Sequence, residues 1–460
     1  MGNKKSIWQK IDNKEKEEIY NYSEDYKKFL DNAKTEREGT NFIISKAKEK
    51  GFISLEDLMK KGPKKNDKVY FNNKNKSVVL MVLGDDLEEG MNIVGSHLDS
   101  PRLDLKANPI YEDGQMALAK THYYGGIKKF QWPTIQLALH GYFIDQDGKE
   151  HSISIGEDEN DPVFFINDIL PHLAATQNEK KISEAIPAES LNVVVGHSSF
   201  GIKDDEENPI KTMVLDYLDK NYNLKEEDFK VAEFELVPAA KARDVGFDRA
   251  MISAHGHDDR VCSYANLKAI LEVDNPKITA VGLFVDKEEI GSVGNTSMSA
   301  KFFENFVAEI LSARDNYKDI MLRHAMARSN VLSADVTVAL DPDHKYAHEE
   351  LNSAYVGHGV AMAKYTGARG KNSSNDANPE FLAKIRDLYK DEGIIWQTGE
   401  MGKTDQGGGG TIAFILAEYG AEVVDMGVAM LSMHAPVELV SKADAYMTYK
   451  AYKAFLNKFK

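Results

Sequence analysis

The sequence predicts an α/β fold with helices on both faces of a sheet, interrupted by an inserted β-rich region. After about residue 245, apolar strand-like runs alternate with helical stretches, which is typical of a sheet covered on both sides. The runs 77–84 and 278–285 are almost wholly apolar, as in strands buried on both faces. Between about 107 and 240 apolar and polar residues alternate instead, which favours antiparallel strands.

The elements can be assigned in chain order. The start of the chain predicts helices with polar faces, and the inserted region contains a turn at DQDGKE. These patterns predict two domains. The α/β domain comprises 1–106 and 241–460, and the inserted domain comprises 107–240. The predicted elements are helices within 15–60, strands at 77–84 and from 91, a strand at 278–285, a helix at 295–314, a short helix at 411–420, a strand at 421–430 and a C-terminal helix.

Composition restricts the possible functions. The 460 residues suffice for two domains, and the net charge of −16 disfavours nucleic acid or an acidic membrane as a partner. Cys262 is the single cysteine, so a metal site must use His, Asp and Glu. No apolar run approaches the roughly 18 residues of a membrane span, and the N-terminal stretch lacks the apolar core of a signal peptide. We therefore expect a cytoplasmic protein.

Polar side chains follow the ends of several apolar runs. In open α/β sheets, ligands bind beyond the carboxyl ends of the strands, so these positions are the candidate site. The five clusters are His97 and Asp99 in GSHLDSP, Asp258 and Asp259 in HGHDDRV, Glu288 and Glu289 in DKEEIGS, Asp335 in LSADV, and His434 in LSMHAP.

Two histidines and several carboxylates without thiols suit a pair of zinc-like divalent cations. Two metal ions ~3.5–4 Å apart activate water and stabilise the oxyanion that forms on hydrolysis. Their charge also makes the adjacent carboxylates Glu288 and Glu289 tolerable, and one of the two can bind metal while the other serves as a base.

Each cluster also has an ordinary structural interpretation, and spacing alone does not decide between the two. A histidine at a strand end is often simply hydrogen-bonded, and Asp-Asp often caps a helix. Glu-Glu is favoured at a helix start by the helix dipole. SAD can cap a helix, and MHAP can be an extended segment before proline.

The motifs GSHLDSPRLDLK, DDRVCSYA, DKEEIGS, SAD and MLSMHAPVELV resemble, in this order, those of the M18 family of metalloaminopeptidases. The resemblance spans nearly the whole chain. It implies a three-layer α/β/α zinc-peptidase catalytic domain with an inserted β-rich dimerisation domain. It also implies that dimers assemble into a tetrahedral dodecamer with enclosed active sites.

The resemblance implies a role for each residue of the candidate site. Asp258 would bridge two metal ions, Glu288 would be the general base, and Asp99 would orient a histidine ligand. Zinc is the expected metal, with cobalt or manganese as alternatives. The peptide bond between Asp258 and Asp259 is expected to be cis, despite a cost of ~3–4 kcal/mol. The remaining metal ligands would be His97, Glu289, Asp335 and His434.

The resemblance also implies substrate-side residues. His172 in LPHLA matches a histidine that reaches a neighbouring subunit's active site, and Lys364 lies near a lysine that touches substrate. Asp405, in the glycine-rich KTDQGGGGTIA, is a candidate for binding the substrate amine. Aspartyl aminopeptidases commonly carry a histidine shortly after SAD. This chain has Val338 there and no histidine before His344, so the preferred N-terminal residue stays open.

The function predicted from these residues is a dinuclear aminopeptidase that releases single N-terminal residues from peptides. A second hypothesis is a related dimetal carboxypeptidase or deacylase, which would use the same metals and base. A third is a non-catalytic assembly protein on a peptidase scaffold. The presence of Glu288 and of every ligand argues against the third. The GKT at 402–404 is not a phosphate loop, because Gln397 occupies the position of the required glycine.

Overall fold

The computed structural model describes residues 5–203 and 205–460. The chain divides into two compact units. The first comprises the chain up to Asp99 together with Ala242–Met433 and Glu438–Lys460. The second comprises Ser100–Lys241 and His434–Val437. The domain boundaries drawn from the sequence stay a prediction beside these two units.

The strands are β1 (Ile53–Ser54), β2 (Lys68–Asn73), β3 (Ser77–Val82), β4 (Met91–His97), β5 (Arg102–Asp113), β6 (Met116–Tyr124), β7 (Gln136–Ile144), β8 (Glu150–Ile155), β9 (Phe164–Ile166), β10 (Val193–Gly196), β11 (Glu233–Pro238), β12 (Arg243–Val245), β13 (Met251–Ala254), β14 (Thr279–Val285), β15 (Asn330–Ser333), β16 (Thr337–Val338), β17 (Val360–Ala363), β18 (Trp396–Thr398), β19 (Glu422–Gly427), β20 (Ala429–Leu431) and β21 (Glu438–Ser441).

The helices are α1 (Asn13–Asn32), α2 (Glu36–Glu49), α3 (Leu55–Lys61), α4 (Ala175–Asn178), α5 (Ile182–Ala185), α6 (Pro209–Tyr222), α7 (His257–Leu271), α8 (Phe302–Ser312), α9 (Asp319–Ala327), α10 (Pro379–Asp391), α11 (Ala413–Ala417) and α12 (Lys442–Lys458). None of the helices that the structure describes combines the length and apolar character needed to cross a bilayer.

The first unit is built on a nine-stranded sheet in the order β1-β2-β3-β14-β4-β15-β19-β17-β18. Its strands β14, β4, β15 and β19 run parallel and are buried almost throughout. Alternate residues of β3 enter two separate cores: Val78 and Leu80 pack with α1, α2, α7 and α12, whereas Val79 and Met81 pack with α3, α8 and α9. Helices therefore cover both faces, and the predicted three-layer α/β/α architecture is confirmed.

A second sheet of the first unit was not predicted. It has five strands in the order β12-β13-β21-β20-β16. The apolar run 421–430, predicted as one strand, divides at Val428 into β19 in the large sheet and β20 in the small one. β15 and β16 divide between the same two sheets, with 334–336 between them. The predicted helix 295–314 is also shorter than expected, because α8 begins at Phe302.

The second unit is a closed six-stranded barrel. Its pairings run β11-β5-β6-β10-β9-β7 and return from β7 to β11, while β8 pairs outside the ring with β7. Leu103, Leu137 and the wholly buried Trp132 belong to its core. The predicted turn lies between β7 and β8, where Asp145 Oδ1 accepts the backbone N–H of Lys149 at 2.9 Å. The expectation of a β-rich inserted region is thus confirmed.

Candidate metal centre

Three adjacent parallel strands of the large sheet, β14, β4 and β15, carry the candidate site at their carboxyl ends. His97 is the last residue of β4, and its strand partner in β14 is Val285. Glu288 and Glu289 follow β14 in a short 3₁₀ turn, and Asp335 follows β15 by two residues. Parallel strands point their carboxyl ends to one edge of a sheet, which is why residues far apart in sequence meet here.

Several carboxylates converge on one imidazole nitrogen. His97 Nε2 lies 3.2 Å from Asp258 Oδ1, 3.9 Å from Glu288 Oε2 and 4.0 Å from Asp335 Oδ1. The potential ligand atoms form two sets, and within each set all atoms lie within 4.8 Å of one another. One set comes from His97, Glu288 and Asp335, and the other from His97, Asp258 and Glu289.

The crowding of negative charge shifts the protonation equilibria at this edge of the sheet. Burial lowers the pKa of His97, but the carboxylates of Asp258 and Asp99 outweigh it and hold the pKa well above 6.5. Burial, together with repulsion from the charge on Glu288, raises the pKa of Asp335 well above 3.8. The neighbouring negative charges contribute to both shifts, and a cation would balance them.

Asp99 links the ends of β4 and β14. The ring Nδ1 of His97 is 2.9 Å from the Asp99 carbonyl oxygen and 3.4 Å from its carboxylate. The same carboxylate accepts the backbone N–H groups of Glu288 and Glu289, each at 3.1 Å. With Nδ1 directed to Asp99, Nε2 of His97 faces the carboxylates, as an outer carboxylate commonly arranges for a histidine ligand.

The kinked first turn of α7 presents Asp258. Its bond to Asp259 is cis, as expected from the resemblance, and both residues have non-helical dihedral angles. Asp259 Oδ2 accepts the backbone N–H of His97 at 3.3 Å. No sequence pattern indicated this contact of Asp259, because the strand end that it meets lies 162 residues away.

Gly427 lets the backbone of β19 approach the backbone of Asp335 closely. A Cβ atom added to Gly427 would lie 1.9 Å from the carbonyl oxygen of Asp335. Only glycine fits this approach of the two chain segments, which occurs where β15 and β19 leave the large sheet. The glycine inside the apolar run 421–430 was a possible signal, since an isolated glycine in a strand often marks a close backbone approach.

The remaining residues predicted from the sequence are not among these potential ligand atoms. His434 follows β20 with φ +63, and its Nδ1 is 2.8 Å from the Gly126 carbonyl oxygen. His172 is exposed in a 3₁₀ turn at Pro171–Leu173 of the barrel unit. Lys364 follows β17, with Nζ 4.0 Å from Asp376, and Asp405 is exposed in a turn with φ +72. None of these four residues belongs to either set of potential ligand atoms.

The residues at the strand ends fit a divalent metal ion. Nε2 of His97 is buried and, although Asp258 Oδ1 lies 3.2 Å away, it makes no well-aligned hydrogen bond with the described residues, which is unusual for a buried ring nitrogen. Imidazole nitrogen and carboxylate oxygen together form the ligand set typical of zinc in a hydrolase.

Comparison with known proteins identifies the family of the chain. The sequence profile of the family described as "Aminopeptidase I zinc metalloprotease (M18)" matches residues 29–456. The "Probable M18 family aminopeptidase 1" of Clostridium acetobutylicum is 50% identical over 457 residues, 98% of each chain. The crystal structure of an M18 aminopeptidase from Thermotoga maritima superposes with a TM-score of 0.94 at 44% identity and covers 100% of both chains.

The fold and these matches define a zinc metalloprotease. The chain belongs to the M18 aminopeptidase family and is a metal-dependent hydrolase. A more distant structure, the mApe1 dodecamer of S. cerevisiae, is 19% identical with a TM-score of 0.77 and covers 95% of this chain and 96% of its own. At that identity it supports the fold alone.

Proposed function

We propose that the protein is a dinuclear aminopeptidase that releases single residues from the free N-termini of peptides. The observation that carries the proposal is the convergence of carboxylates on His97 Nε2 at the ends of β14, β4 and β15. A site with this much negative charge suits two divalent cations better than one.

The proposed ligands are those implied by the family motifs. Asp258 would help to hold both ions, and zinc is the expected ion, with cobalt or manganese as alternatives. When bound, the ions would polarise the peptide carbonyl and lower the pKa of the attacking water. The terminal ligands would be His97, Glu289, Asp335 and His434.

Glu288 is the proposed general base. Its side chain is 16% exposed, so it borders the open side of the cluster, where substrate and water arrive. In this role it takes a proton from the attacking water and delivers it to the leaving amine. Asp99 fixes the turn that carries Glu288 and so limits the positions its carboxylate can take.

Substrate binding is proposed to require a second subunit. His172 lies in a segment that exposes Ile169, Leu170 and Leu173, which are 45–66% accessible in the single chain. Such apolar exposure is typical of a protein interface, and it supports a homo-oligomer, with a tetrahedral dodecamer as the family expectation. Lys364 and Asp405 are proposed to contact the substrate from the same chain. The protein is proposed to be cytoplasmic.

The first experiment compares hydrolysis of free and N-acetylated peptides, with and without a chelator. We expect single residues to be released from free N-termini only, and chelation to abolish the release. Equal cleavage of blocked peptides, or release from the C-terminus, would instead indicate a related dimetal amidohydrolase. The same panel ranks the preferred N-terminal residues.

A complementation experiment tests the role of His172 in a neighbouring site. Subunits carrying His172→Ala and subunits carrying Glu288→Gln would each be inactive alone. In mixed oligomers, some sites receive an intact His172 from one subunit and an intact Glu288 from the other, so activity should return. Failure of mixing to restore activity, with light scattering showing mixed oligomers, would contradict the shared site.

A further inference from the structure

We propose that Glu438 is a positioning residue for Asp258. Its carboxylate holds the backbone of Asp258, so the Asp258 carboxylate stands ready at the metal centre before any ion binds. The inference rests on the proposed function only in taking Asp258 as a metal ligand.

The position of Glu438 follows from the small sheet. Glu438 is the first residue of β21, and its antiparallel partner is Ala254, the last residue of β13. The side chain is 1% exposed, and its Oε2 accepts the backbone N–H of Asp258 at 3.0 Å. The register therefore brings a buried carboxylate from the C-terminal part of the chain to the turn that carries the proposed bridging ligand.

The turn has a reason to need this acceptor. Asp258 has φ −79 and ψ 106, so its backbone departs from the helix in which it is included. A buried N–H at such a point must find a partner outside the helical ladder. A carboxylate that accepts a backbone N–H forms one of the stronger hydrogen bonds available in a protein interior.

The preceding residue is held independently. His257 Nδ1 is 2.7 Å from the hydroxyl of Tyr26, and its Nε2 is 3.0 Å from the carbonyl oxygen of Ile252. The turn is therefore fixed at His257 without Glu438, and the contribution of Glu438 falls on Asp258.

The test compares variants that keep or remove the acceptor. Glu438→Gln retains an oxygen that can accept the Asp258 N–H, whereas Glu438→Met has a similar length and no such acceptor. We expect Glu438→Met to weaken cobalt binding roughly 10–100-fold, the usual effect of losing a partner of a metal ligand. Its cobalt absorption spectrum should also change, and Glu438→Gln should restore most of both properties.

Asp444→Asn is a matched control. Asp444 is another wholly buried carboxylate, and it accepts the backbone N–H groups of Gly357 and Gly359 at 2.6 and 2.7 Å. Its substitution should leave cobalt affinity and spectrum unchanged, because it lies outside the metal turn.

If Glu438→Met does not fold, Glu438→Asp replaces it, since the shorter side chain keeps the charge but cannot reach Asp258 without movement. Wild-type cobalt affinity and spectrum in the folded variant that lacks the contact with Asp258, Met or Asp, would overturn the proposal. Equal loss in the Gln and Met variants would also overturn it, because the charge rather than the hydrogen bond would then matter. These binding measurements require no peptidase activity, so they can contradict the role of Glu438 without contradicting the proposed function.

Discussion

The carboxylate of Asp99 accepts the backbone N–H of Glu288 at 3.1 Å, although the two residues are 189 positions apart. Its second oxygen accepts the N–H of Glu289 at the same distance. One buried side chain therefore sets the position of both neighbouring carboxylates relative to His97, which Asp99 also contacts. The relationship explains how two adjacent glutamates stay at a buried strand end rather than turning to solvent.

Replacing Asp99 should disturb the site without unfolding the protein. In Asp99→Asn one oxygen still accepts an N–H, but the amide nitrogen meets the other N–H as a second donor. We expect roughly 10–100-fold lower activity and weaker metal binding, measured by turnover and metal titration. Asp113→Asn, at the exposed end of β5, is the control and should change neither quantity. Unaltered turnover in Asp99→Asn would remove the positioning role.

The two adjacent glutamates should differ when each is replaced by glutamine. Glu288→Gln should bind metal at the wild-type stoichiometry but lose at least roughly 100-fold in turnover, because the base is gone. Glu289→Gln should lose metal, because a carboxylate ligand is gone. Metal analysis of both proteins beside their rates separates base from ligand. The reverse pattern would exchange the two assignments.

Loss of His434 should lower the metal content. Its Nδ1 is directed to the carbonyl oxygen of Gly126, so Nε2 is the nitrogen expected to bind metal. His434→Ala should therefore retain less metal after dialysis against dilute chelator, as measured by elemental analysis. His344→Ala, at an exposed histidine paired with Asp341, is the control. Full metal occupancy in His434→Ala would count against a ligand role.

Gly427→Ala tests the close approach beside Asp335. The added methyl group would lie 1.9 Å from the Asp335 carbonyl oxygen, so the backbone of β15 or β19 must move. We expect a loss of about 1–3 kcal/mol in the free energy of unfolding, together with weaker metal binding. Gly370→Ala is the control, because no atom beyond the adjacent residues of the chain lies within 4 Å of its added carbon. Equal stability of the two variants would show that the two strands adjust without cost.

Asp425 should make stability depend on pH. Burial raises its pKa to about 6 from an ordinary 3.8, while hydrogen bonds from Thr411 and Ser333 oppose the rise. Because the folded state holds this proton more tightly than the unfolded state, stability falls as pH rises from about 4 to about 6. Above pH 6 the cost is constant and of the order of 2–3 kcal/mol.

In the wild type the Thr411 hydroxyl donates to Asp425 Oδ1 at 2.7 Å. Asp425→Asn removes the titration and keeps an oxygen that can accept this hydrogen bond. The variant should be more stable than the wild type at pH 7.5 by about 2–3 kcal/mol, and the difference should shrink towards pH 4. Thermal or denaturant unfolding at the two pH values measures it. A difference that does not change with pH would contradict the raised pKa.

Much of the fold was predictable because burial leaves a periodic record in the sequence. The apolar runs that became β3 and β14 are buried on both faces, and their pattern alone indicated it. The run 421–430 was misassigned as one strand, because both halves are apolar and the change of sheet at Val428 depends on partners distant in the chain. The start of α8 was misplaced because 295–301 forms turns.

The sequence by itself determined the α/β class, the membership of the M18 family and the residue types of a metal centre without cysteine. These follow from local periodicity and from motifs that are continuous in the chain. The tertiary structure alone decided that Asp99 binds the backbone of Glu288 and Glu289, that Asp259 supports His97 and that Glu438 reaches Asp258. Each of these hydrogen bonds joins strand ends or turns far apart in sequence, and the register of the sheets sets their distances.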